Sequence, residues 1–99
     1  MLMKFNVQSV NFNPTDQLLD LVDRKLNKLD KFKEHILNGE VYLKVDNKTQ
    51  NIKDKTVEIK CSVKGNVLFV KETTKTFEET IDLAIDIMSR QVKRHKERR

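Results

Sequence analysis

Apolar and polar positions alternate from the start of the chain. Met3, Phe5 and Val7 alternate with Lys4, Asn6 and Gln8 at the period of a half-buried strand, and Val10 and Phe12 continue in the opposite phase. A bulge near Ser9 would reconcile the two phases. Asn13, Pro14 and Thr15 then break the alternation. Thr15 predicts an N-cap, because its hydroxyl can accept from the free amides of a first turn while Asp16 complements the positive end of the helix dipole. Leu18, Val22, Leu26 and Leu29 recur at helical spacing on one arc, with Ile36 as a continuation, and Asn38 and Gly39 read as the helix stop.

Beyond that stop the period returns to two. Val41, Leu43 and Val45 alternate with Tyr42 and Lys44 as a second strand, and Asp46 to Thr56 is a polar, lysine-containing loop. Val57, Ile59, Cys61 and Val63 form the inward row of a third strand, which makes Cys61 a small buried hydrophobe. Gly65 and Asn66 supply a two-residue hairpin turn, so a fourth strand from Val67 to Thr73 runs antiparallel to the third. Phe77, Ile81, Ala84, Ile85, Met88 and Val92 make the apolar stripe of a closing helix. Leu83 and Ile87 lie off that stripe, beside Arg90 and Arg94, where they either pack on the first helix or stay open for a partner. The order β-α-β-β-β-α predicts an α+β fold: a four-stranded sheet with both helices on one face, since each helix has one stripe to bury.

Composition narrows the picture. Ninety-nine residues, 37% apolar and 35% charged, fit a single domain spanning 1–99 with a thin core and no deep substrate cavity. Cys61 has no cysteine to pair with, and there is no signal stretch or long apolar run, as expected of a cytosolic protein without a membrane span. Charge adds more. Arg90, Lys93, Arg94, Lys96, Arg98 and Arg99 face only Glu97 in the last ten residues, a surplus equal to the whole net charge of +5. In the first helix Arg24, Lys28 and Lys31 gather on one flank with Lys25 toward the apolar edge, and Asp20, Asp23 and Asp30 gather on the other. Glu78, Glu79, Asp82 and Asp86 precede the bases of the closing helix, an order that also suits its macrodipole. A localised surplus of this kind points to a polyanion met by one surface.

Several chemistries lack their residues. His35, His95 and Cys61 are scattered singly, so no metal-ligand spacing arises, and two glycines cannot build a phosphate-cradling loop or a dinucleotide fingerprint. Ser9, Ser62 and Ser89 carry no nucleophile signature. No enzyme activity and no cofactor is expected. Aromatic rings for stacking bases are few: Phe5, Phe12, Phe32 and Phe77 fit core positions, while Tyr42 points away from the core with Phe69 as its one plausible companion. Charge on two helices of one layer suits phosphate contacts and shape recognition of folded RNA.

Three segments resemble the ribosome hibernation-promoting factors and ribosome-associated inhibitors, also called sigma-54 modulation proteins, in their short form. They are the opening FNVQSVNFNPTDQLLDLV, the first-helix end RKLNKLDKF, and IDLAID followed by RQVKRHK in the closing helix. The resemblance implies a fold similar to double-stranded RNA-binding domains. It also implies binding to the small ribosomal subunit and its ribosomal RNA, in the channel for messenger and transfer RNA. Such binding silences and protects idle ribosomes in stress and stationary phase. It further implies a cytoplasmic bacterial protein, monomeric off the ribosome, with no membrane or small-molecule partner. Lys25 and Lys28 match the family's basic residues in the first helix, and Arg90, Arg94 and Lys96 those in the last, with Gln91 and His95 as matching polar neighbours. Arg24, Lys31, Lys93, Arg98 and Arg99 come from charge and periodicity alone. Phe77, Glu78, Glu79 and Thr80 depart from the tyrosine and small residues of relatives, and the sequence ends before the linker and second domain of long-form members. Two other readings stand beside this one: a regulatory protein-interaction module using Leu83 and Ile87, and a generic structured-RNA binder.

Overall fold

A computed structural model describes residues 5–45 and 54–98; Met3, Lys4, the segment 46–53 and Arg99 lie outside the described residues. The elements run β1 (Phe5–Val10), α1 (Asp16–Leu26), a 3-10 segment (Asn27–Phe32), β2 (Ile36–Val45), β3 (Lys55–Val63), β4 (Asn66–Thr74) and α2 (Phe77–Glu97). The four strands form one sheet in the order β1-β2-β3-β4. β1 lies parallel to β2, which requires the crossover that α1 supplies, and the other two pairs are antiparallel. This is the predicted α+β architecture.

The core is the inner face of the sheet beneath the helices. Val41, Ile59 and Val70 align across three strands, Leu43 pairs with Val57, and Gly39 pairs with Cys61. Ile81, Ala84, Ile85, Met88 and Val92 of α2 and Val22, Leu26, Leu29 and Phe32 of the first helical region complete the same buried cluster. Cys61 is fully buried, and loss of hydration pushes its thiol from 9.0 to about 11. Phe12 and Phe77 pack at the margin, their rings stacked with centroids 5.5 Å apart.

Four local expectations are corrected. The β1–β2 register runs unbroken from Phe5 to Val10, so no bulge occurs at Ser9. The phase changes at Asn11, whose φ of 68° turns the chain while Ser9 Oγ donates to the Phe12 carbonyl at 2.9 Å. The first helix does not reach Asn38. It gives way after Leu26 to the 3-10 segment because apolar spacing changes from four (Leu18, Val22, Leu26) to three (Leu26, Leu29, Phe32), the repeat that a 3-10 turn stacks on one side. Ile36, Asn38 and Gly39 belong to β2, with a register shift between Ile36 and Asn38. The hairpin turn is Lys64–Gly65, with Gly65 at φ 80° and Asn66 already paired to Val63. Finally, β3 begins at Lys55, inside the stretch read as loop.

Gly39 has a packing role. A Cβ there would clash with Phe5 Cε2, because the Phe5 ring lies over the glycine beside it in the sheet. Gly39→Ala should therefore destabilise the domain by about 1–3 kcal/mol, and Phe5→Leu in the same chain should recover part of the loss. Thermal denaturation of the single and double variants checks this, and an unchanged midpoint for Gly39→Ala would refute it. The Cys61 thiol gives a second expectation. The folded state holds its proton more tightly than the unfolded state, so stability is fully present below pH 9 and declines as pH rises from about 9 toward 11. Denaturant midpoints measured across that window should fall less for Cys61→Ala than for the parent chain, and equal slopes would remove the thiol from the account.

Candidate nucleic-acid interface

The setting of α2 decides where its charges point. Thr76 caps the helix, its hydroxyl accepting from the Glu79 amide at 3.1 Å. Thr80 is buried one turn later, its hydroxyl 2.7 Å from the Thr76 carbonyl, 3.0 Å from the Lys55 carbonyl and 2.6 Å from Thr74 Oγ1. The four residues Phe77–Thr80 therefore anchor the helix start through Phe77 and Thr80, and leave Glu78 and Glu79 in solvent. At about 100° per residue, nine residues from buried Ile81 bring Arg90 to the opposite, outward side. Arg90 is exposed, and its Nε donates to the Asp86 carbonyl of its own helix at 3.4 Å.

α1 and the 3-10 segment lie along α2 and run in the same sense, since Lys25 meets Asp82, Lys28 approaches Asp86, and His35 meets His95. This seam changes the meaning of two predicted residues. Lys25 Nζ lies 2.9 Å from Asp82 Oδ1, while Lys28 Nζ lies 3.9 Å from Asp82 and 3.8 Å from Asp86. The Asp82 oxygen is buried without a well-angled hydrogen bond, so the Lys25 ammonium neutralises it as an ion pair. Lys25 is thus committed to the seam and Lys28 is shared between two carboxylates. Arg24, Lys31, Arg90, Lys93, Arg94, Lys96 and Arg98 are exposed, and none has a salt bridge among the described residues. Lys31 Nζ rests 5.4 Å from the centre of the Phe32 ring.

The polar neighbours Gln91 and His95 face inward. Gln91 Nε2 donates to the Phe69 carbonyl on β4 at 3.4 Å. His35 Nε2 and His95 Nδ1 share a hydrogen bond of 2.8 Å, with His35 buried and His95 half-buried. The pair joins the end of α2 to the turn before β2. Two shallow hollows flank the end of α2, one between Lys96 and the residues from Asp30 to His35, the other of about 230 Å³ between Asn66, Leu68, Gln91, Arg94, His95 and Arg98. Ile87 packs against the core, whereas Leu83 stays 39% exposed, which answers the question the sequence left open. The acids of the seam were missed as partners of Lys25 and Lys28, because helix-dipole order alone accounts for their place in the sequence.

Among the described residues no group of three or more metal-ligating side chains occurs, and no helix is long and apolar enough to cross a membrane.

Residues 5–99 match the family model described as Sigma 54 modulation protein / S30EA ribosomal protein. Similar curated relatives include the ribosome hibernation promotion factors of Bacillus subtilis, 30% identical over 95% of this chain, and Deinococcus radiodurans, 27% identical over 95%. In both cases the chain spans about half the relative's length, 49%. Among solved structures, the N-terminal domain of Thermus thermophilus Protein Y aligns with a TM-score of 0.77 at 29% identity, covering 96% of this chain and 99% of that one. A ribosomal subunit interface protein from Coxiella burnetii has the same fold, with a TM-score of 0.83 at 17% identity, covering 96% and 99%.

The seam pair offers a direct measurement. A double-mutant cycle on Lys25→Met and Asp82→Asn should return a coupling of about 1 kcal/mol in thermal or urea unfolding, in the upper range for partly exposed pairs. Strict additivity would mean that the 2.9 Å contact contributes nothing to folding. The chain belongs to the Sigma 54 modulation protein / S30EA ribosomal protein family.

Proposed function

We propose that this chain binds the small ribosomal subunit through its helical layer and silences translation by occupying the channel for messenger and transfer RNA. The observation that carries the reading is the set Arg24, Lys31, Arg90, Lys93, Arg94 and Lys96, cations of one layer without salt bridges among the described residues, in a chain of this family. Lys28 adds part of a charge, and Lys25 acts mainly by holding the helices together. Gln91 and His95 position the end of α2 that carries Arg94 and Lys96. The name of the curated relatives, ribosome hibernation promotion factor, supports a ribosomal target.

The mechanism is steric and needs no turnover, so the protein works in the cytoplasm as a monomer that competes with the ligands of the channel. Phosphate contacts supply the affinity by releasing counterions. A protein-interaction module is less well supported, because Ile87 is taken up by the core and Leu83 alone is a small anchor for a partner.

Arg90→Glu with Arg94→Glu should abolish cosedimentation with small subunits while leaving circular dichroism unchanged. For the parent chain, neutralising about five to seven phosphates gives a log-log salt slope of about −4 to −6. Undiminished cosedimentation of the charge-reversed variant would overturn the proposal.

A further inference from the structure

The outer face of the sheet carries a feature that the helical layer does not use. Its largest apolar exposure is on β4, where Phe69 is 52% exposed and Val67 51% exposed, two residues apart and therefore on the same face. Lys60 stands directly across from Phe69 on β3, and Lys71 is the next outward residue along β4. Two carboxylates share this face, Glu40 directly across from Lys60 and Glu58 directly across from Lys71. Glu58 is bound to Lys44 at 2.6 Å, and the neighbouring Glu40 carboxylate raises the Tyr42 phenol above its ordinary value. Glu72 of β4 pairs with Val57 and so belongs to the inner row. Lys60, Lys64 and Lys71 have no salt bridge among the described residues.

The edge of β4 joins this face to the basic end of α2. Gln91 reaches the Phe69 carbonyl, and Arg94 and Arg98 line the hollow beside Asn66 and Leu68. A cationic path thus runs from Arg94 and Arg98 around β4 to Lys60 and Lys71, with an exposed aromatic ring along it. A ring flanked by unpaired cations matches an unpaired nucleotide, which offers a flat base to stack and phosphates to neutralise. A second copy adding its own β4 would set lysine rows against each other and would meet an edge carbonyl already engaged by Gln91.

We propose that β4 is a single-stranded RNA platform, with Phe69 stacking one unpaired base and Lys60 and Lys71 holding the adjoining phosphates. It rests on the reading that this chain binds RNA, and it gives the domain a contact for an extruded nucleotide beside the folded RNA met by the helices. The two readings separate by experiment. The parent sequence contains no tryptophan, so Phe69→Trp creates a single indole reporter at the stacking position. Titration of the full chain with a short oligoadenylate at low salt should quench that indole, and labelled-oligonucleotide anisotropy should show saturable binding. Phe69→Ala should weaken that binding about 5- to 150-fold, the loss of one stacked base, and Phe69→Tyr should keep it. Lys60→Glu with Lys71→Glu should weaken it as well and lower the salt slope by about 1 to 2. Absence of quenching, or equal affinity for Phe69→Ala, would overturn the platform even if Arg90→Glu with Arg94→Glu still abolishes small-subunit cosedimentation. Quenching by an acidic peptide at lower concentration than the oligonucleotide would overturn it too, in favour of a protein ligand.

Discussion

Everything on the surface of this domain depends on the way α2 buries its one apolar stripe. Ile81, Ala84, Ile85, Met88 and Val92 share a single arc, and the inner rows of β3 and β4 accept it. A helix with one such arc has one rotational setting, and any other would bring charge into the core at a cost of several kcal/mol. The setting turns Arg90 outward, Asp82 and Asp86 toward α1, and Gln91 and His95 toward β4 and His35. Buried Thr80 fixes the helix along its axis, because its hydroxyl meets carbonyl oxygens of both Lys55 and Thr76. Packing thereby sets the electrostatics, and the charged residues supply little of the stability themselves.

The electrostatics then divide into two kinds. Along the seam, opposite charges meet within the molecule and cancel, and a cation committed there is poorly placed to release counterions from a nucleic acid. Away from the seam, Arg24, Lys31, Arg90, Lys93, Arg94 and Lys96 of the helical layer have no carboxylate partner among the described residues. The net charge of +5 counts both kinds alike, so it understates how sharply the free charge is localised.

Much of the fold was legible from periodicity. Thr15 caps α1, the inward rows of β2 and β3 are those expected, and the stripe of α2 is buried as its spacing requires. The misreadings arise where a local rule has two solutions. Asn38 and Gly39 look like a helix stop by composition, yet Gly39 lies in a strand because the Phe5 ring occupies the space a side chain would need. That contact joins residues far apart in sequence, so no local window reveals it. The change of apolar spacing from four to three at Leu26 was in the sequence and marks the end of the α-helix. At the candidate interface, charge and spacing single out cations, but whether each is paired is a tertiary property. Lys25 and Lys28 look alike as letters and differ by 1.0 Å in their approach to Asp82, 2.9 against 3.9 Å. The outward aspect of Phe69 follows from alternation, whereas its neighbour Lys60 comes from the hairpin register, which lies one residue from the predicted turn.

The mixed sheet also bears on how the interface comes into being. β3, β4 and α2 are consecutive and meet through a two-residue turn and a short connection, so they form a locally wired unit. β1 and β2 are joined in parallel across α1, a pairing that closes a much longer loop and is correspondingly slower to form. The cations of α2 therefore belong to the locally wired unit, whereas Arg24 and Lys31 belong to the crossover between the parallel strands. The two-helix surface thus draws on both parts of the topology, and its complete charge pattern requires both to be in place.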